Sequence, residues 1–259
     1  TAPMGTDLHD GQVWNWIDFD NDGDLDGYLT NYGGTTPAVG YPNEMYRNDS
    51  NIFVKLTVAE VGPIVTDTGI SLSNTWGDFD NDGDLDCIVT NEGPQNNAYY
   101  QNNVMQGSTV FTKITNEPMV LNSGNHWCAT SGDYDNDGDL DVFISGASDK
   151  GLFENTTTLT DFINIKLVGL TSNMSGIGAK VKVKAKGFWQ MREISAQNTF
   201  NGMNMLNAHF GFGISGSTPL LIDTIRIEWP SGIVDLCTNI PSNVMYTATE
   251  GQCLSVTAL

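Results

Sequence analysis

Basic residues are scarce in this sequence, which has 11 Lys and Arg against 31 Asp and Glu and a formal net charge of −20. A nucleic-acid partner needs a basic patch that follows the phosphates, and the sequence has none. An anionic membrane surface would repel the chain. No apolar run approaches the ~20 residues of a membrane-spanning helix. We therefore expect neither nucleic-acid binding nor membrane insertion.

Several motifs of common enzyme and metal sites are also missing. The sequence has no GxSxG elbow, no P-loop and no HExxH. Its four cysteines form no CxxC pair, which disfavours a zinc cluster or a redox dithiol. Cys237 and Cys253 flank two strand-like runs, and the alternatives left open are a disulfide between them or buried thiols. No sustained helical stripe of apolar residues is present, which favours an all-β fold.

Aspartate, by contrast, is concentrated in three nearly identical segments. "DFDNDGDLD" occupies residues 18–26 (loop 1) and 78–86 (loop 2), and "DYDNDGDLD" occupies 133–141 (loop 3). Each loop has five aspartates at alternate positions, so the three contain 15 of the 31 acids. The loops follow one another at offsets of 60 and 55 residues. That spacing indicates an internal repeat.

The repeat extends beyond the loops. Strand-like runs precede and follow each loop, and "IFVKLT" (52–57) recurs as "VFTKIT" (110–115). The third unit stops after "LFEN" (152–155), and 156–161 has the composition of a linker. Beyond it, "GAKVKVKAKG" (178–187) and "TIRIEWP" (224–230) alternate as half-buried antiparallel strands do. The sequence therefore predicts three β units followed by a second β domain.

The loops have the ligand chemistry of a calcium site. Alternate carboxylates of a tight loop converge on one point, and the glycine at its centre permits the left-handed turn that this requires. Hard oxygen ligands of high negative charge suit Ca²⁺ better than Mg²⁺. An EF-hand is excluded, because its twelfth position needs Glu and holds Leu29, Val89 or Ile144 here. We expect about three structural Ca²⁺ ions and no catalytic metal.

These segments resemble the FG-GAP/VCBS repeat, the calcium-binding blade unit of integrin-type β-propellers, over roughly residues 8–155. The C-terminal part resembles the ASPIC/UnbV domain through "SNMSGIGAKVKV", "HFGFG", "IEWPSG" and "ATEG". The combination is similar to that of cartilage acidic protein and of many secreted bacterial proteins. The resemblance implies an all-β fold, with blade repeats at 1–158 and a β-sandwich-like domain at 159–259.

The resemblance also implies a ligand set for each ion. The fourth aspartate of each loop would coordinate through its backbone carbonyl, and the other four through their side chains. The implied ligands are Asp18, Asp20, Asp22, Asp24 and Asp26 in loop 1, Asp78, Asp80, Asp82, Asp84 and Asp86 in loop 2, and Asp133, Asp135, Asp137, Asp139 and Asp141 in loop 3.

The number of blades departs from that pattern. A propeller closes with four to eight blades, and only about three units are present. Further blades outside this sequence, blades from a partner chain, or an open array capped by the C-terminal domain are the alternatives. An open array would expose an edge at residues 1–20, through which copies could associate into a filament.

Three classes of function remain. The leading prediction is a non-enzymatic, calcium-stabilised extracellular or cell-surface module for adhesion or recognition, with another protein or a surface glycan as partner. A structural subunit of a self-associating filament is the second. The third is a polysaccharide-active enzyme that uses a carboxylate pair from Asp67, Glu92, Glu117, Glu193 and Glu228. We expect the tryptophans before the loops (Trp14, Trp16, Trp76, Trp127) to lie in the core rather than stack on sugars.

Overall fold

The structure is a computed structural model that describes residues 9–33, 40–147, 150–157, 160–214, 216 and 218–257. As predicted, it is almost entirely β. No helix in these ranges is long and apolar enough to cross a membrane. The helices that these ranges contain are single turns: α1 (Val58–Val61), α2 (Pro118–Leu121), and 3-10 turns at Gly62–Val65 and Val104–Gln106.

Three antiparallel sheets, here called the first, second and third blades, correspond to the three repeat units. In each blade, one strand leads into the aspartate loop and the next strand leaves it. The strand orders are β1-β2-β4-β5, β7-β8-β10-β11 and β13-β14-β15. The strands are β1 (Gly11–Ile17), β2 (Asp26–Asn31), β4 (Glu44–Asn48) and β5 (Phe53–Lys55); β7 (Ser71–Gly77), β8 (Asp86–Asn91), β10 (Ala98–Asn103) and β11 (Ser108–Ile114); and β13 (His126–Gly132), β14 (Asp141–Gly146) and β15 (Gly151–Phe153).

Neighbouring blades are joined by short ladders and by apolar cores. β3 (Tyr41–Pro42) pairs with β6 (Thr68–Gly69), and β9 (Gln95–Asn96) pairs with β12 (Ser123–Gly124). Buried side chains of the first and second blades form one core, and those of the second and third form another. Three blades are fewer than a closed propeller needs, and the described residues form no closed propeller. Further blades outside this sequence, blades from a partner chain and an open array all stay predictions.

Two further sheets pack as a sandwich around the C-terminal core. Their strand orders are β19-β16-β22-β23 and β18-β17-β20-β21. The alternating lysine segment is β17, and its valines are buried while its lysines are half-buried, as predicted. The strands are β16 (Thr160–Val168), β17 (Lys180–Ala185), β18 (Phe188–Glu193), β19 (Ala208–Ile214), β20 (Leu221–Glu228), β21 (Val234–Pro241), β22 (Val244–Thr249) and β23 (Ser255–Val256).

The cysteines resolve the alternatives that the sequence left open. Cys237 and Cys253 are disulfide-bonded, with a Cα–Cα distance of 5.7 Å. Cys87 and Cys128 are free thiols and buried. The predicted domain boundary at 158/159 lies outside the described residues. The predicted linker at 156–161 extends too far, because residues 160 and 161 already belong to β16.

The core prediction for the tryptophans is right for Trp76 and wrong for two others. Trp76 is buried between the first and second blades, 5.3 Å from the ring of Tyr28. Trp16 is 49% exposed and Trp127 is 40% exposed. Trp16 occupies the repeat position of Trp76, but the first blade has no preceding blade among the described residues to cover it. Burial at that position therefore depends on the neighbouring blade.

Candidate metal centres

Each aspartate loop turns sharply at its centre. The asparagines Asn21, Asn81 and Asn136 have φ values of 57°, 58° and 64°, and the glycine two residues later also has a positive φ. Asn and Gly tolerate this left-handed region better than other residues. The first aspartate closes the turn in loops 1 and 2, because Asp18 Oδ2 accepts the Gly23 N–H (3.2 Å) and Asp78 Oδ2 accepts the Gly83 N–H (3.1 Å).

The turn brings three carboxylates together in every loop. In each group, one oxygen per side chain lies within 4.8 Å of those of the other two members. A cation at the centre of such a group would contact all three side chains. The groups are Asp18, Asp20 and Asp22; Asp78, Asp80 and Asp82; and Asp133, Asp135 and Asp141.

Buried carboxylate oxygens in these loops have no hydrogen-bond partner among the described residues. They are Oδ1 of Asp18, Asp20, Asp78 and Asp84, and both Oδ atoms of Asp139. A buried, unpaired polar oxygen is costly. A hard cation would satisfy several of these oxygens at once, and so the donor set fits Ca²⁺.

Burial also raises the pKa of the loop carboxyls. The pKa of Asp18 rises to about 7 and that of Asp78 to about 6, chiefly because burial disfavours the charged form. The pKa of Asp84 rises to about 8, and the negative charge of Asp82 adds to the effect of burial. A bound cation would stabilise the charged form of these carboxyls, which burial otherwise disfavours.

The fifth aspartate of each loop holds the loop to the blade. Asp26 accepts the N–H groups of Phe19 (3.2 Å) and Asn48 (2.8 Å), which lie in the loop and at the end of β4. Asp86 and Asp141 accept the equivalent pairs of N–H groups. Of these three, Asp141 also belongs to a group of converging carboxylates. Metal ligation by Asp26 and Asp86 stays a prediction.

The fourth aspartate differs between the loops. Asp24 accepts the Ser50 N–H (3.2 Å) and Asp84 accepts the Met105 N–H (3.1 Å), whereas the oxygens of Asp139 have no described partner. Ligation through the backbone carbonyls of these residues stays a prediction. Asp137 accepts the Asp139 N–H (3.2 Å) and is not in the converging group of loop 3.

The C-terminal domain contributes contacts to loop 2 that sequence reasoning missed. The Gly211 N–H donates to Asp78 Oδ2 (2.8 Å), and Arg192 Nη2 lies 3.9 Å from the same oxygen. Burial lowers the pKa of Arg192, and the charge of Asp78 opposes that shift. Nothing in the spacing signals these contacts, because Asp78 and Gly211 are 133 positions apart in the chain.

Two glutamines complete the surroundings of loop 2. Gln101 Nε2 donates to Asp80 Oδ2, and Gln106 Nε2 donates to Asp82 Oδ2. Both glutamines come from β10 or the 3-10 turn that follows it. Loop 2 is therefore the most enclosed of the three loops, with contacts from its own blade and from the sandwich.

Comparisons with protein families agree with this architecture. A family described as an FG-GAP-like repeat matches residues 18–89 and 78–144. The family described as ASPIC and UnbV matches residues 169–255. The chain thus has FG-GAP-like repeats followed by an ASPIC/UnbV domain. No curated protein matches the chain, and the similarity to cartilage acidic protein stays a prediction.

Proposed function

We propose that this chain is a non-enzymatic, calcium-stabilised recognition module that acts outside the cell or at its surface. FG-GAP-like and ASPIC/UnbV domains are typical of recognition or adhesion rather than catalysis. The observation that supports calcium best is the convergence of three carboxylates in each loop, together with the buried, unpartnered oxygens that members of the groups in loops 1 and 2 have. The partner would be another protein or a surface glycan.

In this proposal, calcium is a structural component. Asp18, Asp78 and Asp133 would each begin a ligand set, and the ion would neutralise carboxylates that repel one another. At millimolar calcium and a site constant of roughly 0.1–1 mM, each ion would add about 0.4–1.4 kcal/mol to the free energy of unfolding.

Three of the candidate catalytic carboxylates have other partners, which disfavours the enzyme alternative. Asp67 accepts from Tyr100 Oη (2.5 Å), and Glu92 accepts from Tyr32 Oη (2.6 Å). Glu228 accepts from Arg226 Nε (2.8 Å). These three carboxylates are therefore held by a hydroxyl or a cation, and no second carboxylate is among those partners.

Calorimetry tests the proposal directly. Calcium-free protein titrated with CaCl₂ should take up about three ions, and its melting temperature should rise. MgCl₂ at the same concentration should raise it less. A melting temperature that is the same with and without calcium would contradict the proposal.

A further inference from the structure

The third blade ends one strand earlier than the other two. β5 covers the outer edge of β4, and β11 covers that of β10, but no strand in the described part of the chain pairs with the outer edge of β15. A shared hydrogen bond identifies the equivalent positions in the three blades. In each blade, an asparagine Nδ2 donates to the backbone carbonyl of the leucine in the aspartate loop. The pairs are Asn48 with Leu25, Asn102 with Leu85 and Asn155 with Leu140.

The two fourth strands that are present share the pattern Phe-x-Lys. It is residues 53–55 in β5 and 111–113 in β11. The lysines lie opposite Tyr46 and Tyr100, with each Nζ 5.9 Å from the ring centroid of that tyrosine. A strand that completes a blade in this protein therefore carries an aromatic residue and, two positions later, a basic one.

In the second blade, the aromatic residue of this pattern fills the space between blades. Phe111 is 1% exposed, and its ring lies 6.3 Å from that of Phe19 and 6.0 Å from that of Trp76. β11 also packs against α1 and the 3-10 turn after it.

The corresponding space beside the third blade is an open cavity of about 590 Å³. Its apolar walls include Phe79, which occupies the repeat position of Phe19, together with Tyr99 and Phe153. Residues of α2 line it as well. α2 lies between the second and third blades, as α1 lies between the first and second. The cavity thus lies where an equivalent of Phe111 would pack.

Acidic side chains line the same cavity. Glu117 and Glu154 are among its lining residues. These carboxylates would attract a basic side chain placed opposite Phe153, which is the repeat position of the tyrosines that face Lys55 and Lys113. The net charge of −20 also favours association with a basic partner.

We propose that the free edge of β15 and this cavity form a strand-addition site for an extended segment of a partner protein. The segment would carry an aromatic residue and, two positions later, Lys or Arg, and its backbone would pair with β15. Both Phe-x-Lys segments of this chain are already paired in their own blades, so a second copy would have to open a blade to supply one. The site deepens the proposed recognition function and rests on it.

A peptide with the sequence of β11, STVFTKI, is the probe. Added to the calcium-loaded chain, it should bind in isothermal titration and slow amide hydrogen exchange at residues 151–155. The same peptide with Phe111→Ser should bind about tenfold or more weakly, because the aromatic side chain no longer fills the cavity. Equal binding of the two peptides, or no binding at millimolar peptide, would overturn the proposal.

Variants of the chain test the charge argument. Glu154 is exposed at the cavity, and Glu154→Lys should weaken peptide binding several-fold. Asp223→Lys makes the same charge change on an exposed position of β20 and should leave binding unchanged. Equal effects of the two variants would show that net charge alone weakens peptide binding, and this result would overturn the proposed site.

Two further readouts separate this proposal from related ones. If calcium raises the melting temperature but the peptide does not bind, the strand-addition site fails while the calcium-stabilised module stands. If size-exclusion chromatography shows a dimer that the peptide dissociates, a second copy occupies the edge and the partner assignment is overturned.

Discussion

At the residue scale, the buried carboxyls of the loops are the groups that could bind a cation. Asp78 is the clearest case, because one of its oxygens accepts N–H groups from Gly83 and Gly211 while the other has no described partner. The first oxygen connects the loop to the sandwich, and the second is available to a cation. A change at this position should therefore affect both calcium binding and domain packing.

We expect Asp78→Asn to reduce the stabilisation that calcium provides. The amide keeps the size of the side chain but removes one charge from the group of three, so loop 2 should lose most of its share, about 0.4–1.4 kcal/mol. Melting curves with and without millimolar calcium measure this difference. Asp223→Asn, outside the loops, is the matched control. An equal calcium effect in both variants would argue against a site in loop 2.

The pH dependence follows from the raised pKa values. In the calcium-free protein, the pKa of Asp18 is about 7 and those of Asp26 and Asp84 are about 8, against an ordinary value of 3.8. Since the folded-state pKa is the higher one, these groups stabilise the fold below pH ~4, and that stability is lost as pH rises through 7 to 8. Calcium bound in the loops would favour the charged form of these carboxyls, so its stabilising effect should be largest near pH 8.

Melting temperatures of dialysed and calcium-loaded protein between pH 5 and 8.5 provide the measurement. The difference between the two samples should shrink as pH falls, because protons compete with calcium for the same carboxylates. A difference that grows toward pH 5 would contradict the assignment of these carboxyls as ligands.

At the scale of elements, loop 2 is held between the third blade and the sandwich. Asn81 Nδ2 donates to the Gly138 carbonyl of loop 3 and to Thr160 Oγ1 of β16, each at 3.1 Å. The Gly213 N–H of β19 donates to the Asn81 carbonyl (2.5 Å). One turn of loop 2 therefore contacts three other elements: loop 3, β16 and β19.

Gly211→Ala should loosen this contact. An added Cβ would lie 2.4 Å from Asn81 Cα, which is too close for any side chain. We expect a loss of about 1–3 kcal/mol in the free energy of unfolding, measured by denaturant titration. Gly216→Ala is the control, since its nearest neighbour would be Thr218 O at 3.8 Å. Similar losses for both variants would show that the contact at Asn81 is not responsible.

The disulfide stabilises the last strands of the sandwich. It joins β21 to the segment between β22 and β23, across a separation of 16 residues. A loop of this length corresponds to about 3 kcal/mol in the chain-entropy model. The double variant Cys237→Ser and Cys253→Ser should lose stability by that order. Reducing agent should destabilise the parent protein and leave the double variant unchanged; an effect on both would point to another cause.

At the scale of the whole molecule, one segment of the sandwich domain contacts all three blades. Asn15 Nδ2 donates to the Asn198 carbonyl (2.8 Å), and the Phe200 N–H donates to Ser73 Oγ (3.0 Å). The Met205 N–H donates to the Ser131 carbonyl (2.9 Å). These acceptors and donors lie on β1, β7 and β13, so the blades and the sandwich are packed as one structure.

We therefore expect a single cooperative unfolding transition in the presence of calcium. Domains that share an extensive interface unfold together, whereas independent domains give separate transitions. Differential scanning calorimetry should show one peak whose calorimetric and van't Hoff enthalpies agree. Two resolved peaks in calcium would mean that the sandwich and the blades unfold independently.

Local patterns were sufficient to predict much of the fold. The alternation in β17 and β20 predicts half-buried strands, because successive side chains of a strand point to opposite faces. The three aspartate loops predict both the repeat and the convergence of carboxylates, since both follow from residues that are close in the chain. The exposure of Trp16 is not predicted, because burial at its position depends on a neighbouring blade that is distant in sequence.

The sequence by itself determined the repeat, the all-β class and the composition of three acidic loops, because each is encoded within a few consecutive residues. Tertiary structure alone decided that Gly211 and Arg192 meet Asp78, and that no strand among the described residues pairs with the outer edge of β15. These features arise where segments more than a hundred residues apart pack together, or where an expected strand has no counterpart. Their physical basis is long-range packing, which local spacing does not encode.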